Sequence, residues 1–492
     1  MAKKTLKPAK PVPLIPVVTA QEMARLEQLA IADGCAQEKF MMEAGRKVAA
    51  AALERKPKRV ALLVGKGNNG GDAYAAGICL LDEGVRVRAL TLYPMEDCSA
   101  LNRKFGEQFR KKRGVVERLS DARWEEELIL DGFLGTGFRG SVEPAMARAI
   151  ERANGSGRPI LAIDIPSGLD GTTGEVRGAA IVAQETVALG FPKSGFFLRE
   201  GWNRVGKIRV EDFGLPKKFQ DKAVAFACVP DGRLLATLLP LIERKRHKYQ
   251  AGYVVGFSGS SLFRGAPKLA GLAALRSGAG IVRIFHREDI GEAPLELICQ
   301  PWNEKGWREE VKRAGAVFIG PGIGQSREVA RLWKKMTLPI VIDADALQTG
   351  VDYPKRAILT PHRGEVLRLL NIKQDTLEED LLARCQKYAD RKDVILLLKG
   401  APTFIFAKDR TPVIIPYGDP GMASAGTGDV LTGILAALLA QRMDRFEAAI
   451  LGATLHALAG EEAAQKMTSY GLIAGDLVDC LPQAFRRLGS GC

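Results

Sequence analysis

Continuous apolar runs alternate with stretches of helical spacing along most of this chain. In the first half, RVALLVG, VRVRALTLY, ELILDGFLG, PILAIDIPSG and ETVALGFPK are short apolar runs, which predicts buried strands. Between them lie segments such as DAYAAGICLLDEG, with apolar positions at helical spacing. Strands alternating with helices predict an α/β fold, a parallel sheet with helices on both faces. A second alternation starts at AGYVVGFSGS, passes through AGIVRIF, AVFIGPGIG, PIVIDADAL, AILTPHRGE and VILLLKGAPTFIFA, and ends in helices after GMASAGTGDVLTG. No period relates the halves, so two different α/β domains in tandem are expected. The length, 492 residues, also exceeds what one hydrophobic core supports. The expected layout is a flexible basic tail over residues 1–16, a first domain over 17–222, a linker over 223–244 and a second domain over 245–492.

Composition narrows the class. The chain is 46% hydrophobic and 26% charged, as in ordinary globular proteins. The longest apolar stretch, DVLTGILAALLAQ, is shorter than the roughly 20 residues of a membrane helix and reads as a buried helix. No membrane partner is expected. The start, MAKKTLKPAKPVPLIP, lacks an apolar core and a cleavage pattern and reads as a tail rather than a secretory signal. The 8 cysteines form no CxxC pair, which suits reduced thiols in a cytoplasmic protein. The 4 histidines offer little for a nitrogen-ligated metal centre. The net charge of +14 is read as a solvated basic surface plus the tail. With no aromatic-interleaved basic motif, nucleic acid is not expected as a partner.

Parallel sheets bind ligands at the C-terminal ends of their strands. In the first half the informative polar residues all lie there. Asn68, Asn69 and Asp72 follow the first strand, Asp131 ends the third, Asp164 and Ser167 end the fourth, and Lys193 follows the fifth. The loop GKGNNGGD has the glycine spacing of the dinucleotide fingerprint. A hydride-transfer site is nevertheless not expected. Asp72 opens the following helix, where its carboxylate would repel a pyrophosphate, and the acids Glu96 and Asp97 come late for a ribose contact. A tight turn with Asp72 as N-cap explains Gly70, Gly71 and Asp72 but not two adjacent asparagines. Asparagine amides suit a cation or a polar ligand edge. The stretch DGFLGTGFRG reads equally as a flexible loop. In DIPSGLDG, Pro166 and Gly168 fix a turn that leaves Asp164 at the sheet edge as a candidate general acid/base, and Lys193 could hydrogen-bond a substrate or shift its pKa.

The second half carries its strongest signal in GMASAGTGDVLTG. Gly426, Thr427 and Gly428 precede a long apolar helix, so bare backbone N–H groups can form an anion hole for a transferring phosphoryl group. Asp429 stands where a base could take the proton of an attacking hydroxyl; it could also simply cap the helix. His362 follows a strand directly and could reach a substrate or be structural.

These motifs carry a resemblance to known families. GKGNNGGD, DGFLGTGFRG, DIPSGLDGTTGEV and GFPKSG, in this order over residues 20–215, resemble the NAD(P)H-hydrate epimerase domain, a Rossmann-like parallel-sheet sandwich. The resemblance implies catalysis by Asp164 with Lys193. It implies hydrate binding by Asn68, Asn69, Gly70, Gly71 and Asp72, and by Gly135, Thr136, Gly137, Phe138, Arg139, Gly140 and Ser141, with Asp164. It also implies a potassium ion at Asn69, Asp131 and Ser167. Ala73 stands where that family usually has glycine.

The second half resembles the ribokinase-like fold and, more closely over about 245–490, the ADP-dependent NAD(P)H-hydrate dehydratase. The shared stretches are GFSGSSLFRGAPKLAGLAALRSGAG, IDADAL, LTPHRGE, LLKGAPT and PGMASAGTGDVLTG. This implies that Ala266, Gly324, His362 and Asp429 face the hydrate. Lys399, Gly400, Ala401, Pro402 and Thr403, with Gly426, Thr427 and Gly428, would face ADP and its magnesium ion, ATP being the alternative donor. Asp419 and Arg363 stand where that family usually has asparagine and proline. Together the two resemblances imply a bifunctional enzyme, expected as a homo-oligomer, that repairs hydrated NADH and NADPH. Two other readings are a vitamin-type small-molecule kinase fused to an unknown domain, and a first domain that binds without turnover.

Overall fold

The computed structural model of the chain describes residues 14–119, 124–233, 235–302, 304–324, 329–334 and 336–489. The chain divides into two compact units. One is Pro16–Ala227; the other is Cys228 onward, together with the segment that ends at Ile15.

Among the described residues the first unit holds a seven-stranded sheet. From edge to edge its strands are Val115–Arg118, Arg86–Thr91, Arg59–Val64, Leu128–Gly132, Ile160–Ile163, Glu185–Leu189 and Lys207–Glu211. Every pairing is parallel. The order reverses between Arg59–Val64 and Leu128–Gly132. Connections from these two strands leave toward opposite edges, and a crevice opens at their C-terminal ends. The central strands are buried along almost their whole length because helices cover both faces. Small residues let those helices lie close. A β-carbon at Gly77 of the helix Asn68–Asp82 would fall 2.6 Å from Leu62 Cδ1. One at Gly45 of the helix Gln37–Leu53 would fall 2.5 Å from Ala75 Cβ.

The second sheet has eleven strands among the described residues. Tyr253–Phe257 lies between Ile281–His286 and Ala316–Ile319, all parallel. Ile340–Ile342, Ile358–Leu359 and Ile395–Leu398 continue the parallel run on one side. Thr403–Phe406 and Val413–Ile415 then add antiparallel. The order reverses again between Tyr253–Phe257 and Ala316–Ile319, which makes a second crevice. The helix Thr427–Ala440 is buried from Val430 to Ala440, as its mostly apolar sequence predicts, with Thr432 the one polar residue in that span. It crosses the helix Ala266–Arg276 closely enough that a β-carbon at Gly433 would meet Ala270 O at 2.0 Å.

Two boundary expectations need correction. Leu14–Val17, placed in the tail, and Ala227–Pro230, placed in the linker, are strands at one edge of the second sheet. Each is a short apolar run; Leu14–Val17, with Pro16 inside it, forms the outermost strand, and Ala227–Pro230 carries its proline only at its end. Residues 1–13 of the expected tail lie outside the described residues. Among the described residues no helix is long and apolar enough to cross a membrane.

The close crossing at Gly433 gives a stability prediction. Gly433→Ala should destabilise the protein by about 1–3 kcal/mol, because the added methyl meets a backbone carbonyl that cannot move alone. Denaturant unfolding of the full chain reads this, and an unchanged midpoint would show that the crossing relaxes freely.

Candidate active sites

The crevice of the first unit is a cavity of about 620 Å³. Asn68, Asn69 and Asp72 line it from the helix Asn68–Asp82; Gly135, Thr136, Gly137, Phe138 and Arg139 line it from the loop after Leu128–Gly132. Asp164 lines it from the end of Ile160–Ile163, and Lys66, Tyr93, Phe40 and Glu27 line further parts of its wall. Gly140 and Ser141 do not line it. Arg139 is exposed and donates to Thr136 O at 3.2 Å and Phe138 O at 2.6 Å, so its guanidinium is turned back on its own loop.

Asp164 is held with unusual backbone geometry. Its φ is +64°, a region that few residues other than glycine adopt. Ile165 N donates to Ile163 O at 2.8 Å, closing a three-residue turn around Asp164. The turn lifts the carboxylate off the strand end. There Oδ1 accepts from Leu189 N at 3.1 Å and from the Lys193 ammonium. Lys193 does not line the cavity; it lies fully buried beneath, donating also to Leu189 O at 3.0 Å. The backbone of Val18 braces the lysine's loop through Val18 N to Pro192 O and Ser194 N to Val18 O. A cation held by one carboxylate and one carbonyl is a supported buried pair, and removing one partner of such a pair typically costs about 3–5 kcal/mol.

Asn69, Asp131 and Ser167 come together. The Asp131 carboxylate is fully buried and accepts from Ser167 Oγ at 2.6 Å, Ser167 N at 2.8 Å and Phe133 N at 3.3 Å. Ser167 Oγ accepts from Leu134 N at 2.9 Å, and Asn69 Nδ2 donates to Leu134 O at 2.7 Å and Ile163 O at 3.2 Å. Burial pushes the Asp131 carboxyl up to about 6, against the neutral donors of Ser167 and Phe133.

The bare loop has a different cause from the one its sequence suggests. A β-carbon at Gly65 would fall 1.9 Å from Phe133 O, one at Gly70 would fall 2.2 Å from Gly65 O, and one at Gly71 would fall 2.6 Å from Met41 Sδ. Gly70 and Gly71 lie beneath the cavity, packed against protein; Gly67 has open space and lines it. Asn102, fully buried, clamps the loop with Nδ2 donating to Gly65 O and Gly67 O, both at 2.8 Å. Asp72 is not the helix cap. The helix starts at Asn68 after Gly67, which puts Asp72 more than a turn inside and facing the cavity. Burial, with the charges of Asp164 and Glu27, holds its carboxyl well above the usual range. Ala73 is fully buried, facing Gly132, and its methyl does not reach the cavity.

Sequence reasoning missed Glu27. It sits on the helix Ala20–Ala32, whose residues Ala24, Glu27, Gln28 and Ile31 share the cavity face at helical spacing. Burial and the Asp164 charge push its carboxyl up to about 7, with Lys193 opposing. A single helical glutamate carries no sequence signal of this kind.

In the second unit a half-buried lysine meets a buried strand-end aspartate. Lys399, after Ile395–Leu398, donates to Asp343 Oδ1 at 2.7 Å and lies 3.9 Å from Glu365 Oε2. Thr432 Oγ1 holds the other oxygen of Asp343 at 2.8 Å. Burial opposes the Lys399 charge, but Asp343, Glu365 and Asp429 outweigh it and raise its pKa. The Lys399 ammonium stands over the start of the helix Thr427–Ala440, 3.1 Å from where a β-carbon of Gly428 would lie. Gly426 has φ +94° and precedes that helix, so Asp429 is its third residue rather than its cap. Burial pushes the Asp429 carboxyl up to about 7; the Asp343 charge adds to the rise and Lys399 opposes it. His456 Nε2 donates to Thr427 O at 2.8 Å, and burial holds that imidazole neutral with a pKa of about 4.

The remaining predicted residues flank this centre. Gly324 N donates to Asp345 Oδ2 at 3.0 Å. Ala266 starts its helix, its Cβ 3.1 Å from where Gly322 would carry one. His362 caps the helix Arg363–Leu370, Nδ1 accepting from Gly364 N at 3.0 Å, and its side chain stays 58% exposed. Gly400, Ala401 and Pro402 form the turn after Lys399, and Thr403 Oγ1 donates to Gly400 O at 3.2 Å. Asp419 caps its own short turn through Gly421 N. Asp343 lay within a quoted strand-end motif and could have been found by the rule that found Asp164. Thr432 and His456 lie inside helices and left no such mark.

Comparison with known proteins divides along the same lines. Residues 37–195 match the family described as YjeF-related protein N-terminus, and residues 254–483 match the family described as NAD(P)H-hydrate dehydratase. The bifunctional NAD(P)H-hydrate repair enzyme Nnr of Moorella thermoacetica is 34% identical over 96% of this chain and 97% of its own length. That of Escherichia coli is 33% identical over 85% of this chain and 84% of its own. A solved structure of the ADP/ATP-dependent NAD(P)H-hydrate dehydratase from Bacillus subtilis, co-crystallised with ATP and Mg2+, is 27% identical. It covers 52% of this chain and 97% of that chain with a TM-score of 0.47. At this identity over nearly the whole length of both chains, the protein belongs to the family of bifunctional NAD(P)H-hydrate repair enzymes.

Proposed function

We propose that the first unit interconverts the C6-hydroxyl epimers of hydrated NADH and NADPH and that the second returns one epimer to NAD(P)H at the expense of ADP. The observation that supports this division most is the separation of the two polar centres. Asp164 with Lys193 belongs to one sheet edge, and Asp429 with Lys399 and Asp343 to another.

In the second unit the hydrate hydroxyl attacks the terminal phosphorus of ADP. The bond to AMP breaks, and the hydroxyl proton passes to Asp429. The Lys399 ammonium and the N–H groups of Thr427 and Gly428 stabilise the charge that builds on the phosphoryl oxygens. Phosphate then leaves C6, a proton leaves C5, and the double bond of the reduced ring is restored. Magnesium brought on the nucleotide would neutralise its phosphates. Asp343 already has both oxygens engaged. This suits an ion carried by phosphates and water rather than a dedicated protein cage. The Lys399 to Thr403 turn is assigned to the adenine nucleotide, and Ala266, Gly324 and His362 to the hydrate.

In the first unit Asn68, Asn69, Asp72 and the loop Gly135–Arg139 hold the hydrate, and Asp164 moves protons at its C6 hydroxyl. Asn69, Asp131 and Ser167 are assigned to potassium. The fit rests on Asp131, a fully buried carboxylate served by neutral donors. One carboxylate with neutral oxygens suits a hard monovalent cation better than a divalent one.

Asp429→Asn should lower ADP-dependent repair by about 100-fold to 10,000-fold, the usual effect of losing a catalytic base. In the wild type the base must be ionised, so turnover should fall as pH drops through about 7. Absorbance recovery at the reduced-nicotinamide band reads both; repair within a few-fold of wild type would reduce Asp429 to a structural role.

Asp164→Asn should repair the preferred epimer at the wild-type rate, then stall on a mixed sample except for spontaneous exchange. Fast, complete conversion of both epimers by this variant would contradict the two-site division. Replacing potassium by a bulky organic cation should slow epimer exchange in the wild type and leave phosphate release intact. Equal exchange rates in both buffers would return Asp131 to a purely structural role.

A further inference from the structure

Epimerisation at C6 must deliver and remove a hydroxyl group on both faces of one carbon. That carbon also carries the ring nitrogen, so the hydroxyl is part of a hemiaminal. A single carboxylate on one side serves only one face. Asp164 is fixed at a strand end by Leu189 N and the Lys193 ammonium. The cavity receives a second carboxylate from a different element. Glu27 stands on the helix Ala20–Ala32, capped by Thr19, and shares its cavity face with Ala24, Gln28 and Ile31, which carry no charge. The cation on the same helix, Arg25, is paired with Glu22 instead. A carboxylate turned into a partly desolvated cavity is expensive unless it serves a ligand.

We propose that Glu27 is the second proton-transfer group of the epimerase, working with Asp164. This rests on the epimerase reading of the first unit. Glu27 donates its proton to the C6 hydroxyl, the C6–O bond breaks, and water leaves. The nitrogen lone pair forms the C=N bond of a ring iminium. A water molecule adds to C6 from the other face, the π electrons return to nitrogen, and Asp164 accepts the proton of the incoming water. The reverse direction exchanges the roles, so no oxidant or further reactant is needed.

Asp72 is the competing carboxylate. It lines the same cavity, but burial and the charges of Asp164 and Glu27 raise its carboxyl well above the usual carboxylate range, which favours the protonated form and suits a hydrogen-bond donor. Glu27, pushed by burial and Asp164 to about 7, can both give and take a proton near neutral pH. The charged groups acting on or near it are Asp72, Asp164 and Lys193, with Lys66 and Arg139 on the same cavity walls. Glu27 also lies upstream of the residues 37–195 that match the N-terminal family description.

The test uses the full chain without ADP, a resolved single epimer as substrate, and oxygen-18 water. Wild type should exchange epimers and incorporate solvent oxygen at C6. Exchange in the direction where Glu27 is the donor should slow as pH rises through about 7. Glu27→Gln should lose about 100-fold or more in kcat with KM within a few-fold, lose solvent-oxygen incorporation in step, and lose that pH limb. Glu27→Asp should recover part of the rate and restore the limb. Either of two results overturns the assignment: exchange by Glu27→Gln within a few-fold of wild type with the limb intact, or a loss confined to KM. A wild type that leaves the resolved epimer unchanged would instead overturn the epimerase reading itself.

Discussion

A lysine paired with an aspartate at the end of a parallel strand, at least one of the two buried, underlies both sites. In the first unit it is Lys193 with Asp164; in the second, Lys399 with Asp343. Isolated, the buried charge of Lys193 or of Asp343 would be too costly to keep. Each pair persists because its spare hydrogen-bonding capacity is taken up, by Leu189 O and Leu189 N in one case and by Thr432 in the other. Strand order then decides where these charges face. In the first sheet the order reverses next to the strand that ends in Asp164, and Asp164 faces the crevice that opens there.

The pairs are used differently. Asp164 is itself the group that faces the cavity, lifted there by a left-handed backbone turn, and its lysine is the buried support. In the second unit Asp343 is the buried support, and Lys399 is brought over the helix start that would bind phosphoryl oxygens. The carboxylate proposed to react there is Asp429, on the helix Thr427–Ala440. The Asp343 charge helps to keep its pKa near neutrality, where a base works best. On the proposed reading, one structural device supports acid/base chemistry in one unit and phosphoryl transfer in the other.

Much of this was legible in the sequence because strand ends are easy to find. Uninterrupted apolar runs located the strands, and the polar residues just beyond them included Asn69, Asp131, Asp164 and Lys193. The glycines were legible as a loop but not in their cause. Gly65, Gly70 and Gly71 are bare because Phe133 O, Gly65 O and Met41 occupy the space of a side chain. Such crowding comes from residues distant in sequence. For the same reason Asn102, which clamps the loop, and Glu27, which reaches the cavity from a preceding helix, could not be singled out. Asp72 and Asp429 looked like helix caps because their helices begin three to five residues earlier than a charged residue would suggest. The strands Leu14–Val17 and Ala227–Pro230 were hidden by flanking prolines and charges.

The most direct measurement of the central claim, that two separate centres act in turn on one damaged nucleotide, is a progress curve on an unresolved mixture of hydrate epimers. The full chain, ADP and magnesium are combined in potassium buffer, and absorbance at the reduced-nicotinamide band is followed to completion. The account predicts recovery of all the starting hydrate as NAD(P)H, well ahead of spontaneous epimer exchange. A plateau at the fraction of one epimer, with further recovery only at the spontaneous rate, would contradict it.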